Sequence, residues 1–333
     1  MADPRSVRDL LCDPSEDAFS MPLTNLCDPH DPLSKYTDAL MPRVQMQRPL
    51  SLFDHMSLDV VEKWWCSPGS KLLAIPFDTE VSNPKLHNDI KGRILAAVAE
   101  ITNSSTASVA APKASEDALK AGLTPTSFII YNLSETHHQI LLQRYVWSSV
   151  NISFQVAPLE PTNPDFLFTI KGFTTLENGG VTATVWEVWN DEVTQEFILT
   201  LLGETPEDAR IPLQYDLIHF MNSMWVKRQD IKSKGNCLSP EFNILARGAL
   251  IQNPRIWSKV RRFLAKRTYI NNDLGQGQVV ISPYQCGICH GRDHPRGLCD
   301  FPLVEGWNGP KRWLASKTQK GGRARRTPRT SHP

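Results

Sequence analysis

Three of the chain's seven cysteines fall within fourteen residues, Cys286, Cys289 and Cys299, with His290 and His294 between them. Two thiolates two residues apart can grip one ion from a tight turn. One imidazole and a third thiolate from the returning chain then complete a tetrahedron, the geometry of structural zinc sites. Residue types alone leave open which histidine serves. Four protein ligands leave no position for water or substrate, so such a site is structural and carries no catalytic residue. Gly287, Gly291 and Gly297 allow so short a loop to wrap an ion. Zinc binding by such a segment is worth about 10–16 kcal/mol, enough to order a loop too small to fold alone. Cys286-Gly287-Ile288-Cys289-His290 also fits the c-type haem attachment pattern. That attachment belongs to exported or organellar compartments, and it leaves His294 and Cys299 without a role.

Charge around this loop is one-sided. From Pro254 onward there are 16 Lys+Arg against 4 Asp+Glu, whereas residues 1–253 carry 20 against 31. A basic end on an acidic body points to a polyanionic partner at that end and allows the two parts to attract each other. Asn253 followed by Pro254 is a helix start. The helix predicted to about Thr268 sets Ile256, Trp257, Val260, Phe263 and Leu264 on one face. Arg255, Lys259, Arg261, Arg262, Lys266 and Arg267 fill most of the rest, with no acid among them. A tail beginning at Lys311 and Arg312 adds eight basic residues and no acid, while Arg292 and Arg296 lie inside the loop itself. These side chains are the expected phosphate contacts, and their binding should weaken with salt.

The elements that must position the loop read as follows. Residues 1–126 are expected to be a proline-rich, largely irregular region and linker. Asp-Pro pairs favour extended chain there, Leu58–Trp65 has helical spacing, and Lys71–Phe77 looks like a strand. No aromatic residue occurs between Asp78 and Ser127, which argues for a linker. An α+β domain is expected over 127–252. Phe128–Tyr131 reads as a strand, and Ser134 caps a helix to about Trp147. Period-two strands follow at Ile152–Val156 and Phe166–Ile170, then a helix over 185–202 and another over Gln214–Arg228, with Phe242–Ala246 as a further strand. The order β-α-β-β-α is the ferredoxin-like arrangement. A basic helix and connector (253–282), the metal loop (283–310) and a basic tail (311–333) complete the chain, with disordered termini. No internal repeat is legible.

Cys286, Cys289, His294 and Cys299 in C-x2-C-x4-H-x4-C spacing resemble the CCHC zinc knuckle of retroviral and retrotransposon nucleocapsid proteins. The stretch from about Phe128 to Arg312 is similar to Gag-like proteins of fungal mobile elements. Phe166–Phe173, Asp293–Cys299 and Val304–Pro310 carry that likeness. The resemblance selects His294 as the fourth ligand and implies Zn(2+) together with single-stranded nucleic-acid binding. Gly287 stands where the family places a stacking aromatic, and His290 and Asp293 stand where it places glycines. Tyr284 and Trp307, on either side, are the substitute stacking residues. Asn132-Leu133 and Lys171-Gly172-Phe173 also resemble parts of the signature strands of RNA-recognition domains, with Ile129 where a stacking aromatic belongs.

The expected function is therefore zinc-dependent binding of single-stranded RNA or DNA by a non-enzymatic Gag-like protein, the central domain serving self-association or RNA binding. The alternative is an adaptor whose knuckle and basic helix bind a protein. No small-molecule substrate is implied: there is no phosphate-cradling glycine loop or nucleophile elbow, and His137-His138 has only Glu135 nearby. Acidic residues fill the first thirty positions, where a secretory signal needs a basic start and an apolar run, so the reading is intracellular, nuclear or cytoplasmic, with no membrane partner.

Overall fold

Leu72 to Pro76 is an unbroken run of buried residues in strand β1 (Ser70–Pro76), and such a run needs cover on both faces. The computed structural model supplies it. It describes residues 40–312 except 78, 161, 204–212, 233–237 and 282–283. Within them the chain is α+β, with two five-stranded antiparallel sheets.

The first sheet has β1 at its centre, between β3 (Phe128–Leu133) and β5 (Ser153–Pro158). β2 (Ser108–Ala110) and β4 (Val146–Ser148) form its edges. Leu72, Ala74, Phe128, Ile130, Phe154 and Val156 point to one face, under helices α2 (His87–Thr102) and α4 (Glu135–Gln143). Leu73, Ile75, Ile129 and Ala157 point to the other, where α1 (Leu58–Cys66) brings Trp64 down onto them. A short helix α3 (Glu116–Lys120), capped by Ser115, stands between β2 and β3.

The second sheet has β6 (Phe166–Lys171) at its centre, flanked by β8 (Leu238–Leu245) and β10 (Gly275–Val280). Its edges are β7 (Trp225–Lys232) and β9 (Tyr269–Asn271). Helices α5 (Asn178–Trp189), α6 (Glu192–Leu202), α7 (Leu213–Asn222) and α8 (Pro254–Leu264) cover the face that carries Phe168, Ile170, Phe242 and Ile244. Asn253 caps α8 by accepting from the amides of Arg255 and Ile256. Strand orders β2-β3-β1-β5-β4 and β7-β8-β6-β10-β9 match position for position. The chain has built one connectivity twice, although no repeat shows in the residues.

Several sequence expectations are corrected here. The boundary at 126/127 cuts through the first sheet, since β3 pairs with β1 from Ser70 to Ala74. The segment read as a linker contains the sixteen-residue helix α2, which buries Ile90, Ile94, Ala97, Val98 and Ile101. Aliphatic residues at helical spacing complete that core without any aromatic. The strands expected to form one ferredoxin-like sheet over 127–252 are divided: β3 and β5 belong to the first sheet and β6 to the second. The helix from Ser134 stops at Gln143, and Val146–Ser148 is strand. The helix over 185–202 is two, because Asp191 caps α6 through the amide of Thr194. The helix over Gln214–Arg228 ends at Asn222, and Trp225–Lys232 instead pairs residue by residue with β8. The connector 253–282 holds β9 and β10. Residues 1–39 and 313–333, expected to be disordered, lie outside the described residues.

Two glycines test this packing in opposite directions. A methyl group at Gly92, on the open side of α2, meets nothing within 4 Å, so Gly92→Ala should raise stability by about 0.5–1 kcal/mol. At Gly248 it would stand 2.4 Å from the carbonyl oxygens of Asn163 and Pro164, so Gly248→Ala should lower stability by about 1–3 kcal/mol or more. Chemical denaturation of the two variants reads both.

Candidate metal centre

Beyond β10 the chain folds back on itself in two tight turns. The Cys286 amide donates to the Gly291 carbonyl (2.8 Å), and the His290 amide donates to the Cys286 carbonyl (2.9 Å). His290 sits at a φ of 62°, the left-handed conformation that closes the first turn. Amides also point at sulfur: Ile288 N–H at Cys286 Sγ and Gly291 N–H at Cys289 Sγ, both 3.4 Å. A side chain at position 291 would crowd Cys289 Sγ at 3.2 Å, so glycine belongs there. A short 3-10 turn at Arg296–Leu298 then delivers Cys299.

The ligand atoms of Cys286, Cys289, His294 and Cys299 all lie within 4.8 Å of one another, and the three sulfurs belong to fully buried residues. The group can hold one metal ion. His294 Nδ1 hydrogen-bonds to Asp293 Oδ1 at 2.8 Å, which leaves Nε2 facing the sulfurs, 3.6 Å from Cys289 Sγ. A carboxylate behind a histidine ligand fixes the ring and strengthens it as a donor. His290 is excluded from the cluster, because its Nε2 donates to the Pro76 carbonyl at 3.0 Å. That contact also removes the haem reading's histidine.

The electrostatics suit a cation. Hydrogen bonds from Cys289 and Cys299 hold the Cys286 thiol far below the ordinary thiol range, against the effect of burial. Burial opposes charge on His294, but its bonds to Asp293, Cys286 and Cys299 outweigh it and push the imidazole up to about 12. Thiolate and imidazolium charge thus share one dry pocket, and a divalent ion can replace the protons.

What surrounds the cluster is as informative as the cluster. Cys286, Ile288, Cys289, Cys299 and Phe301 form one apolar core with Val44, Phe77 and Val146. Phe77 and Phe301 rings stand 4.7 Å apart, and Trp307 lies 5.4 Å from each. The Arg292 amide donates to the Gln45 carbonyl (2.8 Å), and the Asn308 amide to Ser148 Oγ (3.0 Å). These contacts tie the segment to the first sheet and to the chain ahead of it. On the opposite side Asn243 Nδ2 donates to the Asp293 carbonyl (2.8 Å), and Thr169 Oγ1 donates to Asn243 Oδ1 (2.7 Å). Lys227 pairs with Asp300 (2.8 Å), and Tyr284 Oη donates to Glu241 Oε2 (2.7 Å). These residues line the face of the second sheet turned away from its helices. The metal-binding segment therefore lies between the two sheets.

The expected phosphate and stacking residues divide into two groups. Arg261 is buried and donates to the Leu167 carbonyl (2.6 Å), while burial and the neighbouring Arg48 lower it to about 10. Arg267 pairs with Asp191. Arg296 holds the carbonyls of Gly287 and Lys311, and Arg312 that of Cys299. Trp307 packs on Phe77 and donates to the Pro310 carbonyl, and Tyr284 is engaged by Glu241. Arg292 is half-buried beside the cluster. In contrast Arg255, Lys259, Arg262, Lys266 and Lys311 are exposed. Asp293, Asn243 and Thr169 were missed by the sequence reading. A carboxylate adjacent to the ligand histidine was the one available signal.

No protein-family model, curated protein or solved structure matches this chain. Among the described residues no helix is long and apolar enough to cross a membrane.

Two outcomes follow for metal affinity, both read by competition with a chromophoric chelator. Asp293→Ala should weaken binding about 10–100-fold while leaving all four ligands in place. Affinity should fall as pH falls, because every ligand must give up its proton to bind and His294 holds its proton tightly in the metal-free state.

Proposed function

We propose that the protein is a non-enzymatic, zinc-dependent nucleic-acid-binding protein of Gag-like descent, with single-stranded RNA as the favoured ligand. One observation carries the reading. Arg255, Lys259, Arg262 and Lys266 are exposed at intervals of four, three and four along α8 and the turn after it, with no acidic residue from Pro254 to Thr268. Such spacing places four cations in one stripe, and a stripe of cations follows a phosphate backbone. Lys311 and Arg312, and the basic residues after them, extend the positive charge in the sequence.

Zinc is the ion favoured by three thiolates and one imidazole in a closed tetrahedron. Its role in this reading is to hold the loop, while the phosphates meet α8. Each half of the chain has the ferredoxin-like β-α-β-β-α-β connectivity with one added edge strand. In RNA-recognition domains such a sheet offers its open face to bases. Here α1 covers that face of the first sheet, and the metal-binding segment covers that of the second. Both sheets thus act as scaffold, and binding is expected to depend on charge with little base preference.

The test is an anisotropy titration of the zinc-loaded full chain with labelled single-stranded RNA at several salt concentrations. Replacing Arg255, Arg262 and Lys266 together with Ser should reduce the slope of log affinity against log salt by about 2, since each phosphate neutralised on a single strand contributes about 0.7. An unchanged slope would remove α8 from the interface. No binding by the wild type at low salt would overturn the reading and favour a protein partner.

A further inference from the structure

The basic stripe of α8 has an acidic counterpart in the same chain. Residues 1–39 hold Asp3, Asp9, Asp13, Glu16, Asp17, Asp28, Asp31 and Asp38 against Arg5, Arg8 and Lys35. Asp13, Glu16 and Asp17 fall within five residues, so three carboxylates can meet cations spaced as those of α8 are. The described chain begins at Leu40 and runs beside α8. Met41 and Met46 pack on the metal-binding core, and Arg48 lies near enough to Arg261 to act on its charge. Eight residues separate Leu40 from Arg48, a span of at most about 28 Å. Residues 1–39 therefore start close to the stripe, with far more chain than is needed to reach it. Arg255, Arg262 and Lys266 form no ion pair with a described residue, so each is available to a carboxylate.

We propose that residues 1–39 dock on the α8 stripe of the same molecule, with Asp13, Glu16 and Asp17 against Arg255, Arg262 and Lys266. The docked segment occupies the surface assigned above to phosphates and competes with them. The competition rests on that assignment, whereas the docking itself does not. Exposed ion pairs are individually weak and screened by salt. The closed form therefore dominates at low ionic strength and opens as salt rises or as a longer polyanion arrives.

Zero-length carbodiimide coupling of the zinc-loaded full chain, followed by peptide mapping, reads the docking without RNA. The expected links join Asp13, Glu16 or Asp17 to Lys266 or Lys259 within one molecule, and they disappear in an Arg255→Glu, Arg262→Glu variant and at high salt. Links from these carboxylates to Lys317 or Lys320 of the tail, or links between isotopically distinct copies, would overturn the proposal. So would the absence of any link. A second arm measures RNA affinity of a full chain carrying Asp13→Asn, Glu16→Gln and Asp17→Asn. About a tenfold gain at low salt is expected, the factor for a closed form holding about nine-tenths of the molecules. No gain in a protein that binds RNA would contradict competition. Intramolecular links in a protein that binds no RNA would leave the docking in place and remove the nucleic-acid reading instead.

Discussion

Three sulfurs and an imidazole nitrogen drawn to within 4.8 Å, in a pocket closed to water, are the constraint on which this structure depends. Left to themselves, such groups repel one another or trap protons, and burial makes either costly. A bound divalent ion reverses the sign of the arrangement. Structural zinc contributes about 10–16 kcal/mol, and a whole domain is stable by about 5–15 kcal/mol. One ion can therefore decide whether the segment from Tyr284 to Arg312 is ordered at all. That segment reaches the first sheet through Phe77, Pro76 and Ser148, and the second through Asn243, Lys227 and Glu241. Metal binding and the joining of the two sheets are accordingly one event.

The repeated connectivity gives this arrangement its meaning. A single five-stranded sheet with helices on one face leaves the other face in need of cover. The first sheet solves this with α1 and Trp64, an apolar lid on an apolar face. The second has a polar face of Thr169, Lys171, Gln229, Glu241 and Asn243, which an apolar lid could not satisfy. The metal-binding segment can, because it brings a backbone carbonyl at Asp293, the Asp300 carboxylate and the Tyr284 hydroxyl. Polar satisfaction of that face explains why six of the twelve residues read as nucleic-acid contacts have internal partners.

The ligand set was the most legible part of the sequence, because ion coordination fixes residue types and short spacings together. Local element type was legible where capping and periodicity agreed, as at Asn253 for α8 or at Phe166–Lys171. Three things were hidden. The helix over His87–Thr102 was obscured by its lack of aromatic residues, although its Ile and Val spacing was present. Strand β10 was obscured by glycine, and the reason is tertiary: a side chain at Gly277 would strike Ile170 and Phe173 across the sheet. The division into two sheets was obscured because strand partners are chosen at long range. Phe128–Leu133 pairs back to Ser70–Ala74, a choice that nothing within a local window encodes. Arg261 and Arg267 illustrate the same limit, since a basic residue on an amphipathic helix looks alike whether it meets solvent, a carbonyl or Asp191.

The central claim is that metal binding joins the two sheets. Amide hydrogen exchange on the full chain, with zinc and after its removal by a chelator, tests it most directly. The account predicts that protection is lost within residues 284–312 and also outside them: at Val44, whose amide donates to the Tyr145 hydroxyl, at Phe77 and Asn308, and along the β8 residues beside Asn243. Loss of protection confined to residues 284–312, with Val44, Phe77 and β8 unchanged, would contradict it and reduce the metal centre to a local loop staple.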